Sequence, residues 1–227
     1  MPLSFSTDES AKKLKRLSIG HIEFAEVKNE KSNEVVDSVV DGAIALAKKK
    51  HPDMDSLLSD KIIAGMRSLL SDAGLDSSKT RPSGEALARR IVKGKGIYRI
   101  NAVVDVNNSI SLITGFPCGV YDLEKLEGNE IKITIGKPGQ GYVNLQGEPS
   151  SANGKILTAD SRSPFGGPAA DSRRTGITLD TESVLMLIYA PPDSPEDLLR
   201  GTMDKATAFM EKAAGARKIS SGIYRTG

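Results

Sequence analysis

The stretch Val184-Leu185-Met186-Leu187-Ile188-Tyr189-Ala190 is an unbroken run of apolar-bodied residues. A strand covered on one face alternates apolar with polar side chains, so a continuous run of this length reads as a strand buried on both faces, lying centrally in its sheet. Working outward from it, Ser194-Pro195-Glu196-Asp197 opens a closing helix with a capping serine, a proline in the first turn and acids at the positive dipole end. That helix, about residues 195–214, stripes Leu198, Leu199, Met203, Ala206, Phe209, Met210 and Ala213 toward the sheet. Upstream, Ile131 to Ile135 alternates cleanly, and Tyr142 to Leu145, Ile156 to Ala159 and Gly176 to Leu179 read as further short strands between glycines. From Ile19 to Val27, Ile22 and Phe24 share one strand face while His21 and Glu23 share the other.

The first part of the chain has a different period. Between Ser32 and His51, Val35, Val36, Val39, Val40, Ala43, Ile44 and Ala47 form one helical stripe, closed by Lys48 to Lys50. A second helix, Asp55 to Ala73, carries Leu57, Leu58, Ile62, Ile63, Met66, Leu69 and Leu70, stops at Gly74, and is expected to pair antiparallel with the first. Ser83, after Pro82, caps a third helix from Gly84 to about Val92. Helices first, then strands, then a closing helix argues an α+β fold rather than a βαβ array. The division expected is a flexible basic arm over 1–17 and one domain over 18–227, helical over about 32–93 and sheet-rich over about 97–190.

Composition narrows the function classes. The 227 residues hold 31 Lys and Arg against 29 Asp and Glu, a net charge of +2, so nucleic-acid binding has to come from local patches and no global field draws the chain to DNA or a membrane. One cysteine, Cys118, excludes an internal disulfide, and two histidines, His21 and His51, exclude a Cys/His metal cage. No metal or other cofactor is expected. No window approaches the about 20 apolar residues of a spanning helix, and the first ten residues lack the basic start and apolar core of a leader, so a cytoplasmic protein is expected.

Two stretches offer chemistry. Val103 to Ser109 runs from a β-branched strand into Asn107 and Asn108, adjacent amides able to donate and accept at one point. Asp160 to Pro168 carries Ser163, Gly166 and Gly167, a surface loop whose glycines leave backbone N–H groups to face a ligand as an oxyanion site. Beyond it, Asp171-Ser172-Arg173-Arg174 adds a positive patch. Cys118 reads as a small packed residue rather than a nucleophile, and Gly136 to Gly141 as a hairpin turn rather than a phosphate loop.

The blocks Arg81 to Arg90, Val103 to Leu123, Gly154-Lys155-Ile156, Asp160 and Thr175 to Thr178 with Asp180-Thr181, in this order and spacing, resemble the tRNA-editing domain of the phenylalanyl-tRNA synthetase β subunit. The freestanding bacterial versions are the more similar, over about Ile19 to Gly215. The resemblance implies a layered mixed or antiparallel sheet flanked by helices, and hydrolysis of the ester between a wrong amino acid and the terminal ribose of a tRNA. By position, the threonine-asparagine pair of the synthetase pocket falls on Asn107 and Asn108, and its glycine loop on Ser163 to Gly167. The glutamate and histidine that read a tyrosine substrate fall on Leu187 and Gly119, so the resemblance implies a substrate other than tyrosine. Freestanding members of that family are associated with deacylation of tRNA-Arg carrying canavanine, and the resemblance implies that substrate here. Asp105, Asp160, Asp171 and Glu182 are the carboxylates available for such a side chain, and Arg89, Arg90, Arg162, Arg173 and Arg174 the cations for the acceptor-end phosphates. A non-catalytic RNA-binding module and a free amino-acid binding protein are the two other classes this reading leaves open.

Overall fold

The computed structural model describes residues 3–14 and 16–227. In chain order the elements are β1 (Ser4–Thr7), β2 (Ser18–Ala25), α1 (Glu34–Lys50), α2 (Met54–Leu58), α3 (Lys61–Asp72), α4 (Ser83–Val92), α5 (Ala102–Thr114), β3 (Cys118–Asp122), β4 (Glu130–Ile135), β5 (Gly141–Val143), β6 (Pro149–Ser151), β7 (Ile156–Ala159), β8 (Pro164–Gly167), β9 (Ala170–Asp171), β10 (Val184–Ala190), α6 (Glu196–Ala214) and β11 (Arg217–Arg225). Three short 3-10 turns, Glu9–Ala11, Leu123–Lys125 and Arg173–Thr175, complete them.

The apolar run of β10 does what its composition requires. It pairs antiparallel with β2 on one side and β3 on the other, in a sheet of order β11-β2-β10-β3. Its even positions, Val184, Met186, Ile188 and Ala190, pack with Val36 and Val40 of α1, Val106 and Ile110 of α5, and Leu199 and Met203 of α6. Its odd positions, Leu185, Leu187 and Tyr189, pack against Ile131, Ile133 and Phe165. Those belong to a second sheet, β1-β4-β7-β8-β9, antiparallel except for β1 alongside β4. The result is an α+β architecture of helices, four-stranded sheet and second sheet, with one apolar layer on each side of β10. Strands β5 and β6 form a separate ribbon.

Several expectations are corrected. Val103 to Ser109 is helix α5, not a strand leading into a turn: Ala102, Val103, Val106 and Ile110 recur at helical spacing and are all buried. Asn101 caps α5 by accepting from the Val104 N–H at 3.0 Å, and Gly115 ends it in the left-handed conformation. The helix expected over 55–73 breaks into α2 and α3, because Asp60 accepts from Ile62 and Ile63 N–H (2.9 and 3.1 Å) and starts a new helix. The neighbour lying along α1 is α5 rather than α3. Neither Ser83 nor Ser194 caps a helix, since Pro82 and Pro195 occupy the cap positions. Gly176 to Leu179 forms no strand, and β11 was not anticipated.

The arm expected to be flexible over 1–17 is built into the fold where it is described. Ser4 to Thr7 pairs with Glu130 to Ile133, Ala11, Leu14 and Leu17 are buried, and Phe5 stacks on His21 with ring centroids 4.4 Å apart. Three buried apolar residues outweigh the basic cluster that suggested a loose segment. Residues 1, 2 and 15 lie outside the described residues.

Candidate active site

Strand β3 is an edge of the four-stranded sheet, and it contributes to both apolar layers, Cys118 to the helical side and Tyr121 to the side of the second sheet. The Tyr189 N–H donates to the Pro117 carbonyl at 2.9 Å, so strand alternation turns the Phe116 and Cys118 carbonyls outward. Helix α5 meets both: Ser111 Oγ donates to Phe116 O at 2.7 Å, and Asn107 Nδ2 donates to Cys118 O at 3.4 Å. That second bond is long. The other end of the same amide, Asn107 Oδ1, is buried with no partner among the described residues, and an orphaned buried acceptor calls for a ligand or water. Asn108, one residue on, is half-buried and makes no side-chain hydrogen bond among the described residues.

On the other face of β3, Gly119 lies opposite Leu187 of β10, and the space above them is filled by the Tyr121 ring from the same strand. A Cβ on Gly119 would sit 2.1 Å from the Tyr121 hydroxyl, and so would a Cβ on Gly166 of β8. Two glycines from two sheets thus make one phenol-sized slot. Tyr121 stands edge-on to Phe165 (4.8 Å, 76°) and donates to Asp171 Oδ1 at 2.8 Å. Tyr189 and Thr158, hydroxyl to hydroxyl at 3.2 Å, extend this polar cluster between the sheets. Burial pushes both tyrosine hydroxyls well above their ordinary range, so they remain protonated. Burial likewise pushes the Cys118 thiol up, and its Sγ points at the Phe116 carbonyl 3.4 Å away, which fits a packed residue and not a nucleophile.

The four carboxylates divide sharply. Asp105 is buried, takes the Ile100 N–H and pairs with Arg99 at 2.7 Å, at the start of α5. Asp160 accepts from the N–H groups of Glu127, Arg162 and Ser163 and from both sides of its carboxylate holds Arg174 at 2.9 Å. Both are structural. Glu182 is exposed, in a separate cleft with Lys28 and Asp180. Asp171 alone lies beside Gly119 and Gly166, and no cation pairs with it among the described residues. Burial raises it from an ordinary 3.8 to about 6, against the Tyr121 hydroxyl and the Gly167 N–H, which favour the charged form.

A carboxyl that holds its proton more tightly folded than unfolded makes stability fall as pH rises through that window. Stability contributed by this group is therefore expected to decline between about pH 4 and 6. Asp171→Asn, which cannot ionise, should be more stable than wild type near neutral pH and lose that advantage near the carboxylate's ordinary range. Urea unfolding at the two pH values checks this, and a difference that does not change with pH would contradict it.

The expected loop over Ser163 to Gly167 is strand β8 inside a sheet, which corrects its role. Gly166 pairs with Thr158 on one side and Asp171 on the other, and the Ser163 N–H is taken by Asp160 at 3.0 Å. These N–H groups are not a free oxyanion array. The glycines serve close approach instead: Gly166 admits Tyr121, and a Cβ on Gly167 would lie 2.3 Å from the Ile156 carbonyl.

The arginines also separate. Arg89 pairs with buried Glu85 at 2.7 Å, and Arg90 is bound to Gly96 O and lies 3.9 Å over the Tyr98 ring, so both hold α4 and its loop together. Arg162, Arg173 and Arg174 line one cleft of about 380 Å³ with Ser163, Ser172 and Tyr142. Tyr121, Tyr189, Thr158 and Tyr142 were not anticipated as site residues. For Tyr121 the signal was present, since a residue two along from Gly119 in a strand shares its face.

A layered α+β domain with asparagines at one side of an edge strand and a glycine-walled slot at the other defines the class. Residues 68–200, more than half of the chain, match the model of the B3/4 domain, and the chain belongs to that family. Among curated relatives, the phenylalanine–tRNA ligase β subunit of Streptococcus pneumoniae (strain R6) is 38% identical over 74 residues, 33% of this chain and 9% of the relative. The β subunit of Synechococcus sp. (strain CC9605) is 25% identical over 169 residues, 69% of this chain and 21% of the relative. The matches thus take in about a tenth to a fifth of these relatives' length. An N-terminal fragment of the phenylalanyl-tRNA synthetase β subunit from Pyrococcus horikoshii shares the fold, with a TM-score of 0.52 at 11% identity over 95% of this chain and 50% of that one.

Proposed function

We propose that this protein is an aminoacyl-tRNA deacylase that acts in trans, hydrolysing the ester of a mischarged tRNA. One observation carries the reading. Along Cys118 to Tyr121 of one edge strand, Asn107 with its unpartnered oxygen meets the strand from the helix side, while Gly119, Gly166, Leu187 and Asp171, which has no cation among the described residues, lie on its other side; this shared edge supports the reading.

An aminoacyl ester is already activated, so its hydrolysis needs a held ester, a placed water and a donor for the developing oxyanion. In this reading Asn107 Oδ1 accepts a hydrogen bond from the attacking water and orients it, and as the ester C–O bond breaks the water's proton passes to the departing ribose oxygen. The Asn108 amide, not spent on the protein, donates to the ester oxygen. The amino-acid side chain lies at the open β3 edge, where Asp171, held by the Tyr121 hydroxyl, is the carboxylate it meets. Leu187 and Gly119 themselves offer no side-chain partner to a tyrosine hydroxyl, whereas a carboxylate with no cation among the described residues suits a basic side chain. Canavanine on tRNA-Arg is the sharpest form of that choice.

The test is single-turnover deacylation of canavanyl-tRNA-Arg, arginyl-tRNA-Arg and tyrosyl-tRNA-Phe. The reading predicts that canavanyl-tRNA-Arg loses its ester at least about a hundredfold faster than it does spontaneously, the scale of one oxyanion donor, while tyrosyl-tRNA-Phe persists. Survival of every ester with tRNA still bound would overturn it in favour of a non-catalytic RNA-binding module.

A further inference from the structure

The β5–β6 ribbon has no place in the mechanism above, yet it is held with care. Its turn is closed by Asn144 Oδ1, which accepts from the N–H groups of Gln146 and Glu148 at 3.0 Å each. Asn144 bridges to Ser172, which ties the ribbon to the segment carrying Arg173 and Arg174. The Arg173 guanidinium reaches the ribbon tip, 2.8 Å from where a Cβ of Gly147 would stand.

Tyr142 is half-exposed, and its ring stands where two shallow clefts meet. Lys155 fixes it, donating to the Tyr142 hydroxyl at 2.9 Å and to Ser150 Oγ at 3.1 Å, with its ammonium 5.0 Å from the ring centre. Among the described residues, no carboxylate lines the cleft on the arginine side. Arg174 is neutralised by Asp160, and Arg162 shares an exposed pair with Glu127 at 2.8 Å, which a competing anion can replace at little cost. Arg173 has no ion-pair partner among the described residues, so its charge is free for an anion.

A fixed aromatic face beside an unpaired guanidinium, with hydroxyls from Ser163 and Ser172 nearby, is the chemistry that holds single-stranded nucleic acid: bases stack on rings and phosphates pair with arginines. We propose that the ribbon and the cleft beneath it clamp the unpaired 3′ end of a tRNA, one base on Tyr142 and one phosphate on Arg173. This rests on the proposed deacylase reading, and it explains why a chain of nearly neutral charge places its open cationic cleft beside Ser163, next to β8 and the slot.

Fluorescence anisotropy with an uncharged tRNA acceptor minihelix tests it, the same minihelix without its unpaired 3′ nucleotides serving as the second probe. Wild type is expected to bind the intact probe at least about tenfold more tightly, the scale of one stacked base. Tyr142→Ala and Arg173→Ala should each remove most of that preference. Tyr142→Phe, which keeps the ring, should retain it, and Arg173→Ala should also flatten the salt dependence by roughly one ion. Equal affinity for the two probes, or a preference untouched by both alanine variants, would overturn the clamp. The probes carry no ester, so a failed clamp with intact deacylation retires this inference alone, and a working clamp without deacylation retires the catalytic reading alone.

Discussion

Asp160→Ala is expected to cost about 3–5 kcal/mol of folding stability, the range for removing one partner of a buried ion pair. Asp160 joins three backbone N–H groups to Arg174, whose side chain is only 18% exposed and whose Nε already lacks a partner. Without the carboxylate, the 127, 162 and 163 N–H groups lose their side-chain acceptor together and the mostly buried Arg174 charge loses its counter-ion, keeping only the Lys125 and Ser163 carbonyls. Burial by itself would raise the Asp160 pKa, but the Glu127 and Ser163 N–H groups and Arg174 outweigh it and hold the carboxyl below its ordinary range. A carboxyl depressed in the folded state contributes stability that is complete above its unfolded value and lost as pH falls through the folded one. The gap between wild type and Asp160→Ala should therefore be full near neutral pH and close below about pH 4. Denaturant unfolding as a function of pH reads both quantities, and a loss under about 1 kcal/mol would mean that the loop does not depend on this residue.

Gly119→Ala is the second large effect, at about 2–4 kcal/mol from overpacking together with a strained or broken buried hydrogen bond. The added methyl would meet the Tyr121 hydroxyl at 2.1 Å and its ring carbon at 2.7 Å. A phenol at the end of a flexible chain could step aside, but Tyr121 is closed in by Gly166 and Phe165 and bonded to Asp171. Yielding therefore breaks the Tyr121–Asp171 bond. Because the clash is with one side chain, the double variant Gly119→Ala/Tyr121→Leu should be less destabilised than the two single changes summed. Strict additivity would show that the slot is not what makes glycine necessary at 119.

The elements that could be read directly from the sequence are those whose side chains report their surroundings without long-range help. Strand β10 is apolar at every position because both its faces are covered, and β4 alternates because it has one buried face. Helix α5 was hidden by Val103-Val104-Asp105-Val106, where β-branched residues mimic a strand, and tertiary packing of the 102, 103, 106 and 110 positions overrode that local preference. Strand β11 was missed because, as an edge strand, most of its residues face solvent and carry no apolar period. At the site, the resemblance pointed to Asn107, Gly119, Leu187, Gly166 and Asp171, which do border one stretch of β3. It did not show that Asp105 and Asp160 are tied to arginines, nor that Tyr121 fills the slot. Those facts depend on partners such as Asp171, 50 residues away from Tyr121 in sequence, and no local pattern records them.

The claim that joins these observations is that the β3 edge is a hydrolytic site whose water is placed by the unpartnered Asn107 oxygen. The most direct measurement is the single-turnover rate of ester loss from the mischarged tRNA that wild type clears, compared with Asn107→Ala at saturating protein. Since the Asn107 amide makes only one long bond to the protein, the variant should fold with little loss of stability and bind uncharged tRNA as wild type does. Its rate is expected to fall by about a hundredfold or more, the scale set by removing one positioned polar group from an active site. A rate within a few-fold of wild type in the folded variant would contradict the account and move the chemistry away from this edge.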